Sequence, residues 1–503
     1  MRYLQLADSL SIMMSRVSAI SSLVGLEQFL TTEVTKHPTS LSKILNAILP
    51  SFLFPTPPKP AKASSNIAAL DGLRGVACWV VLNSHWACAV DDPWENDVEE
   101  RSQGFMWKPF VSLVWDAESM VNIFFVISGY VLSQKSLKMI HSDQSIQKTI
   151  ASSIFRRAFR LFLPAIAAIF IITILAQMRI FEGARSNFEA FEGLLREQPP
   201  TMEPTFASQI TGAFREVRVL LSASLPGADS FDGLFDHDKH LWTIPVEFKC
   251  SMVLFLVLTG TSLLKTGWRL IIHFCITYYC LLNDFRNASL FIGGMVLAEL
   301  DIIRRSPGAF PGTGSHGSGF TLPLFLSKYP RSPRFATLSW IGAFILGLFI
   351  MGVPLVEPVT MQPHAWLASL LPDMWDKNKV LRAIGSIMTT WACINSPAIS
   401  RIFASRLAEY LGKISFALYL SHGMVIRSLG YVVIGFFRRV MGTTTREDTN
   451  LRQFLFIWIL SYIIMLPFWF WAAELFCKFI DLPSVTFSRW IEQRMSRPGQ
   501  TKA

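Results

Sequence analysis

The sequence predicts an all-α membrane protein, a polytopic bundle of about ten transmembrane helices. Apolar runs recur along the chain, hydrophobic residues make up 51% of it, and charged residues only 16%. An average soluble domain carries about 25% charged residues. So few charges cannot cover the surface of a soluble protein of 503 residues, because surface area grows with chain length. We therefore expect the apolar surface to face a lipid bilayer.

The apolar runs are predicted to be helices, since a helix needs about 20 residues to cross a bilayer. The runs are continuously apolar and lack the alternation of barrel strands, and helices satisfy their own backbone groups in lipid. Ten runs are predicted as spans, at 67–90, 112–133, 160–177, 246–264, 268–283, 287–301, 336–356, 380–396, 414–437 and 454–480.

Three parts of the chain are predicted around these spans. Residues 1–66 form an N-terminal tail and linker that ends in the Pro- and Lys-rich stretch PTPPKPAKASSN. Residues 67–480 form the membrane domain, which includes a long acidic loop at 178–240, and residues 481–503 form a C-terminal tail. The N-terminal tail lacks the apolar core and cleavage site of a signal peptide, so we do not expect it to be cleaved.

Basic residues predict the orientation of the chain in the membrane. Lys and Arg concentrate in the N-terminal tail and in the loops after the second and sixth spans, which all fall on one side. Cytoplasmic loops are enriched in these residues, so both termini are predicted to be cytoplasmic and the 178–240 loop lumenal or extracellular. The ninth loop, with Arg438 and Arg439, runs against this pattern.

Composition also excludes several classes of function. The net charge of +10 reflects Lys and Arg on the cytoplasmic face, so we do not expect a nucleic-acid partner. The seven cysteines show no CxxC pattern and no Cys/His pair at metal-ligand spacing, so neither a metal site nor a disulfide framework is indicated. The sequence also lacks a P-loop, a Rossmann fingerprint and a G-x-S-x-G motif, and no bound cofactor is predicted.

The first span carries polar residues in an apolar helix. The run IAALDGLRGVACWVVLNSHW contains Asp71, Arg74 and His85, and a charged residue at such a position costs about 2.5–3.5 kcal/mol. Arg74 and His85 face the same way about 16 Å apart along the helix, and Asp71 is placed to neutralise Arg74. One interpretation is a reaction path from the cytoplasmic face inward. The alternative is that Arg74 reaches lipid headgroups and His85 makes a hydrogen bond within the bundle.

Arginines and one glutamate mark the third and fourth spans. Arg157 and Arg160 share a helix face at the mouth of the third span, either as ordinary membrane anchors or as a site for phosphate oxygens. Glu247 enters the fourth span with His240 and Trp242 beside it. Its carboxylate is predicted either to be functional or to pair with an arginine of the bundle.

A polar stripe occurs in the ninth span. Ser415, Tyr419 and His422 lie at spacings of four and three residues, which places them on one helix face. The favoured interpretation is a structural hydrogen-bonding stripe, with Tyr419 and His422 as further candidate site residues.

Five blocks occur in order across residues 67–480: LDGLRGVACWVVLNSH, FFVISGYVLS, FRRAFRLFLP, WTIPVEF and SFALYLSH. Together they resemble the acyltransferase 3 family of multi-spanning membrane acyltransferases. The resemblance implies transfer of an acyl group, commonly acetyl, from an acyl-CoA cosubstrate to a hydroxyl of a carbohydrate or small metabolite. The long loop and tail are similar to the fungal branch, which implies O-acetylation of acceptors of secondary metabolism such as terpenoids or polyketides.

The resemblance also implies roles for individual residues. Arg74 and His85 match essential site residues of the family, and Arg157 and Arg160 match contacts to the acyl donor. Trp242 and Glu247 match the family block W-[ST]-L-x-V-E. Within this block, Ile244-Pro245 replaces the usual residues.

The expected mechanism uses His85 as a general base for the acceptor hydroxyl, with Asp71 or Glu247 holding its tautomer. Direct transfer and a transient acyl-imidazole both remain open, as do the acceptor and the oligomeric state. The principal alternative is a proton-coupled transporter or exporter of a small molecule, with Arg74, His85 and Glu247 as a proton relay. That alternative predicts inverted repeats, and we find none that is convincing. A non-catalytic membrane scaffold is the remaining alternative.

Overall fold

The computed structural model describes residues 66–90, 108–190, 198–224, 238–305, 333–353, 363–373, 376–443 and 449–496, which form helices and turns without strands. The predicted N-terminal tail before Asn66 lies outside these residues. The α-helices, in chain order, are α1 (Asn66–Val90), α2 (Ala117–His141), α3 (Gln147–Gln177), α4 (Glu182–Ala190), α5 (Phe206–Ser222), α6 (Thr243–Thr261), α7 (Thr266–Leu282), α8 (Arg286–Arg305), α9 (Pro333–Met351), α10 (His364–Ser369), α11 (Lys377–Asn395), α12 (Pro397–Phe403), α13 (Arg406–Val425), α14 (Tyr431–Met441), α15 (Leu451–Phe476) and α16 (Leu482–Met495).

The predicted helical membrane class is confirmed, but the number of spans is not. A helix overlaps each of the ten predicted runs. Within the described residues, six helical segments are long and apolar enough to cross a membrane: Ile67–Ala89, Ala117–His141, Gln147–Gln177, Lys239–Thr261, Arg406–Met441 and Arg452–Met495. The helices α7, α8, α9 and α11 fall short in length or hydropathy. The chain is an integral membrane protein with six candidate spans in its described part.

Two of the predicted boundaries are wrong for identifiable reasons. The predicted second span begins at 112, whereas α2 begins at Ala117, because the Asp116 side chain accepts a hydrogen bond from the Ser119 backbone nitrogen at 3.0 Å. Such an aspartate satisfies a free backbone donor and so fixes the start of a helix. The predicted third span begins at 160, whereas α3 begins at Gln147 and carries its basic residues inside the helix.

The long loop and the C-terminal tail also contain helices. The 178–240 segment, predicted as a loop, includes α4 and α5, and α5 begins with a capping box made by Thr205 and Ser208. The predicted tail after 480 includes α16, which packs against α3. Arg156 Nε lies 3.4 Å from a carboxylate oxygen of Glu492, and the rings of Phe159 and Phe487 are in contact.

The helices α1 and α13 pack closely against each other through glycines. A Cβ atom added to Gly75 would overlap the backbone nitrogen of Gly412, so only glycine lets these two backbones approach so closely. This approach carries the polar face of α1 onto the polar face of α13. The side chains predicted separately in the first and ninth spans therefore meet.

Candidate active site

A cavity of about 200 Å³ lies between α1, α2, α3, α6 and α13. Four cationic side chains line it, and two acidic side chains face them. The cationic residues are Arg74, Arg157, Arg160 and Lys413; the acidic residues are Glu247 and Asp481. The excess of positive charge favours an anionic ligand, because low-dielectric walls strengthen the field in a cleft.

Arg74 is held by three partners around the α1–α13 contact. Its Nη2 lies 3.2 Å from Asp71 Oδ1 and donates to the backbone oxygen of Gly412 at 3.0 Å. Its Nε donates to Ser415 Oγ at 3.1 Å. The predicted Asp71–Arg74 pair is therefore present, and Ser415 of the predicted stripe fixes the guanidinium at the cavity wall.

Glu247 lies in a network on the opposite wall of the cavity. Arg157 Nη2 donates to Glu247 Oε1 at 2.7 Å, and Ser128 Oγ donates to the same oxygen at 3.1 Å. Arg157 Nε donates to Ser251 Oγ at 2.5 Å. Of the two alternatives for Glu247, the structure shows the pairing with an arginine of the bundle. Arg160, by contrast, is exposed at the cavity.

A second polar group consists of three histidines brought together from separate elements. His85 belongs to α1, His422 to α13, and His240 to a short 3-10 helix at Lys239–Trp242. His240 Nε2 lies 3.0 Å from His85 Nδ1. The ring centroid of His422 lies 5.1 Å from that of His85 and 4.5 Å from that of His240. His422 Nδ1 faces the backbone oxygen of Tyr419 at 2.8 Å.

Asp238 supports this group from outside the span. Its Oδ1 lies 2.6 Å from His240 Nδ1, accepts from the His240 backbone nitrogen at 3.1 Å, and lies 3.4 Å from Arg427 Nη2. Burial raises the pKa of Asp238, but His240 and then Arg427 outweigh this effect and hold the pKa at about 2. Asp238 is therefore a buried carboxylate that stays ionised at neutral pH.

Tyr419 links the histidines to the cavity. It lines the cavity together with Thr243, and the two hydroxyls are 2.8 Å apart. The Tyr419 hydroxyl also donates to the backbone oxygen of His240, and its ring lies 5.9 Å from the His422 ring. One face of α13 thus runs from Ser415 at the cavity to His422 in the histidine group.

The structure corrects the expected partners of His85. Asp71 pairs with Arg74 and Glu247 with Arg157, whereas His240 is the side chain that contacts the His85 ring nitrogen. The cavity lining includes Arg74, Arg157, Arg160, Glu247 and Tyr419 but not His85, Asp71, His422 or Trp242. Trp242 packs among apolar side chains at the start of α6.

Several residues of the site were not predicted from the sequence. Asp238 precedes the fourth span in the run DHDKH. His240 of the same run was noted beside Glu247, but no regular spacing connects it or Asp238 to His85. Lys413 and Asp481 lie at the ends of predicted spans, where charged residues are common. The run of ionisable residues at 236–240, directly before an apolar span, is the one signal that singles out Asp238 and His240.

The three histidines also bear on the predicted lack of a metal site. One ring nitrogen from each lies within 4.8 Å of the others, close enough for one ion to contact all three. The spacing rule in the sequence missed this group, because its members come from three distant segments.

The fold and the site define a multi-spanning helical membrane protein with a cationic cavity next to three clustered histidines, two of which are buried. Residues 67–474 match the family described as an acyltransferase domain, and the chain belongs to this acyltransferase 3 family. The protein is therefore an acyltransferase, as the sequence blocks predicted.

Three fungal proteins are similar to most of the chain. The O-acetyltransferase PaAT-1 of Phomopsis amygdali is 27% identical over 85% of both chains. The acyltransferase R4 of a Phoma species is 25% identical, covering 84% of this chain and 94% of its own length. The acyltransferase clz18 of Cochliobolus lunatus is 24% identical, covering 84% of this chain and 96% of its own length. No solved structure matches the chain.

Proposed function

We propose that this acyltransferase moves an acetyl group from acetyl-CoA to a hydroxyl of a small metabolite or carbohydrate. The observation that carries this proposal is the cavity with four cationic side chains, which adjoins the histidine group through Tyr419 and Thr243. The name of the Phomopsis relative as an O-acetyltransferase supports the acetyl donor. Family membership favours an enzyme over the transporter or scaffold alternatives.

The cavity fits one end of coenzyme A rather than the whole molecule. Pockets that enclose a complete drug-sized ligand measure about 300–1,000 Å³, and this cavity measures about 200 Å³. We infer that the thioester end occupies the cavity, while phosphates lie at its exposed cations, Arg160 and Lys413. Guanidinium groups bind phosphate oxygens through paired hydrogen bonds.

The proposed reaction is a direct transfer that conserves atoms and charge. A nitrogen of His85 takes the proton of the acceptor hydroxyl as its oxygen forms a bond to the thioester carbonyl carbon. The carbon–sulfur bond then breaks, and the proton passes from His85 to the departing sulfur. The products are an acetyl ester and coenzyme A. General-base catalysis of this kind contributes about 10²–10⁴ to the rate.

The donor is proposed to enter from the cytoplasm. Arg157 and Arg160 follow the basic loop predicted to be cytoplasmic, and coenzyme A is a large anion attracted by a positive mouth. This orientation also places both termini in the cytoplasm. His85 lies eleven residues beyond Arg74 on the same helix, about 16 Å further in, and can meet an acceptor from either leaflet.

The test measures thiol release from acetyl-CoA by purified protein in lipid nanodiscs, with and without a fungal metabolite extract. We expect release that depends on the extract, and an acetylated product detectable by mass spectrometry. His85→Ala should lower the rate by at least about 100-fold. The matched control is His141→Ala, which removes another partly buried histidine that contacts Glu299, away from the cavity.

Two results would contradict the proposal. Thiol release that never exceeds the rate without protein, with acetyl-CoA and longer acyl-CoAs alike, would exclude an acyl-CoA donor. A folded His85→Ala protein that keeps more than about a tenth of the activity would exclude His85 as the base, given the minimum contribution of about 10².

A further inference from the structure

Asp238, His240 and His85 form a continuous chain of polar contacts that the proposed reaction does not yet use. The chain runs from Asp238 Oδ1 to His240 Nδ1 at 2.6 Å, and from His240 Nε2 to His85 Nδ1 at 3.0 Å. Asp238 is 0% exposed and His240 5%. His85 is half-buried, and contacts this short constrain where each proton lies.

The carboxylate determines the tautomer of His240. An ionised carboxylate only accepts hydrogen bonds, so His240 Nδ1 must carry the proton that Asp238 accepts. Arg427, which is 2% exposed, lies 3.4 Å from Asp238 and already balances its charge. A cationic His240 would add an uncompensated buried charge, so the neutral form with a lone pair on Nε2 is favoured.

The tautomer of His240 then determines that of His85. His240 Nε2 can only accept in this form, so the 3.0 Å contact requires a proton on His85 Nδ1. A neutral imidazole with a proton on Nδ1 has its lone pair on Nε2. The nitrogen of His85 that faces away from His240 is therefore the basic one.

Gly423 leaves room for the His240 ring beside α13. A Cβ atom at Gly423 would lie 2.7 Å from His240 Nδ1 and 2.8 Å from its Cε1. These distances are shorter than van der Waals contact, so any other residue would displace the ring from Asp238. The fold thus leaves space at α13 for this arrangement.

We propose that Asp238 and His240 are positioning residues that hold His85 with its proton on Nδ1, so that Nε2 accepts the proton of the acceptor hydroxyl. This proposal rests on the proposed function. Asp238 stays ionised throughout the step. When His85 becomes an imidazolium, its Nδ1–H still donates to His240 and the carboxylate stabilises the charge through that ring.

The charged and titratable groups around His85 in the described residues come from three segments. Asp238 and His240 precede α6, His422 and Tyr419 belong to α13, and Arg427 lies in the π turn after it. Replacing Asp238 by a neutral residue removes the carboxylate that Arg427 Nη2 approaches to 3.4 Å.

The test is the kinetics of Asp238→Asn. We expect kcat to fall by about 10²-fold or more, because the amide no longer dictates the His240 tautomer. The KM for acetyl-CoA should stay within about threefold, because the cavity cations are unchanged. The matched control is Asp301→Asn, a buried aspartate that accepts from the Tyr130 hydroxyl at 2.8 Å.

A double variant separates positioning from a purely structural role. In a His240→Gln background, which itself lowers kcat, Asp238→Asn should lower kcat no more than about threefold further, because residues that act as a unit are not additive. If each substitution lowers kcat in the double variant by the same factor as it does alone, the proposal is overturned. A loss of activity in Asp238→Asn that matches the lost fraction of folded protein would overturn it too.

Two further measurements complete the test. Elemental analysis of active purified protein should find no stoichiometric zinc; zinc that is lost in the His240→Gln protein would overturn the proposal, since the metal would occupy the same nitrogens. An Asp238→Asn protein with wild-type kcat, alongside an inactive His85→Ala protein, would refute the positioning role alone. An active His85→Ala protein would instead refute the proposed function.

Discussion

Arg160→Ala tests directly whether the cavity binds the phosphates of the donor. Arg160 lines the cavity, is exposed, and makes no hydrogen bond to the described residues. Its removal therefore breaks no hydrogen bond to those residues, and the half-buried Asp481 loses a nearby positive charge. Arg157→Ala is a poorer probe, because it would leave Glu247 without its arginine, and breaking a buried pair in this way is strongly destabilising.

The expected magnitude follows from the exposure of Arg160. Exposed ion pairs contribute about 0.2–1 kcal/mol, and hydrogen bonds to charged groups about 1.5–3 kcal/mol. The contribution of an exposed guanidinium at a cavity wall to the binding free energy of the donor should fall between these ranges, at about 1–2 kcal/mol. Because 1.4 kcal/mol is a factor of ten, the KM for acetyl-CoA should rise about 5- to 30-fold. Turnover should change less, since the lost contact binds the ground state.

The assay follows initial rates of thiol release against acetyl-CoA concentration at two ionic strengths. Arg160→Lys should give an intermediate KM, because an ammonium group keeps the charge but lacks the paired donors. The difference in KM between Arg160→Ala and the wild type should decrease at high salt, because salt screens exposed charges. The matched control is Arg156→Ala, which removes an exposed arginine of the same helix that pairs with Glu492.

Phosphate binding by Arg160 is refuted if Arg160→Ala leaves the KM for acetyl-CoA unchanged and alters only the saturation by acceptor. Arg160 would then belong to the acceptor site. An equal rise in KM for Arg156→Ala would also refute it, because the effect would reflect general surface charge rather than a specific contact.

Three other changes should have defined effects. Lys413→Ala should raise the KM for acetyl-CoA by less than Arg160→Ala, measured in the same assay, because a lysine lacks the guanidinium fork. Gly423→Ala should lower kcat by about 10²-fold by displacing the His240 ring, whereas Gly260→Ala, whose added Cβ meets no atom within 4 Å, should leave kcat unchanged. Arg160→Cys should react with an impermeant thiol reagent only from the cytoplasmic side of sealed vesicles, and coenzyme A should protect it; labelling from the lumenal side alone would reverse the orientation.

Most of the fold follows from the sequence because bilayer insertion depends on local composition. A helix overlaps every predicted apolar run, since continuous hydrophobicity over about 20 residues has few alternatives in lipid. The count of ten spans is not confirmed, because the shorter helices such as α7 carry too few residues or too many polar ones. The early start of α3 and the helices within 178–240 were missed, since apolarity does not report on helices outside the membrane.

The sequence by itself determined that the chain is a helical membrane protein, and its five blocks indicated an acyltransferase. It singled out Arg74 and His85 by their cost in an apolar span, and Arg157 and Arg160 by their shared face at the mouth of another. Only the tertiary structure decided how these residues pair. Asp71 pairs with Arg74 and Glu247 pairs with Arg157. His240, more than 150 residues from His85 in the chain, contacts the His85 ring and is itself held by Asp238. The physical reason is that composition and spacing describe neighbours along one helix. A hydrogen-bond chain between helices depends instead on which helices pack together. Here the glycines of α1 and α13 allow that close packing.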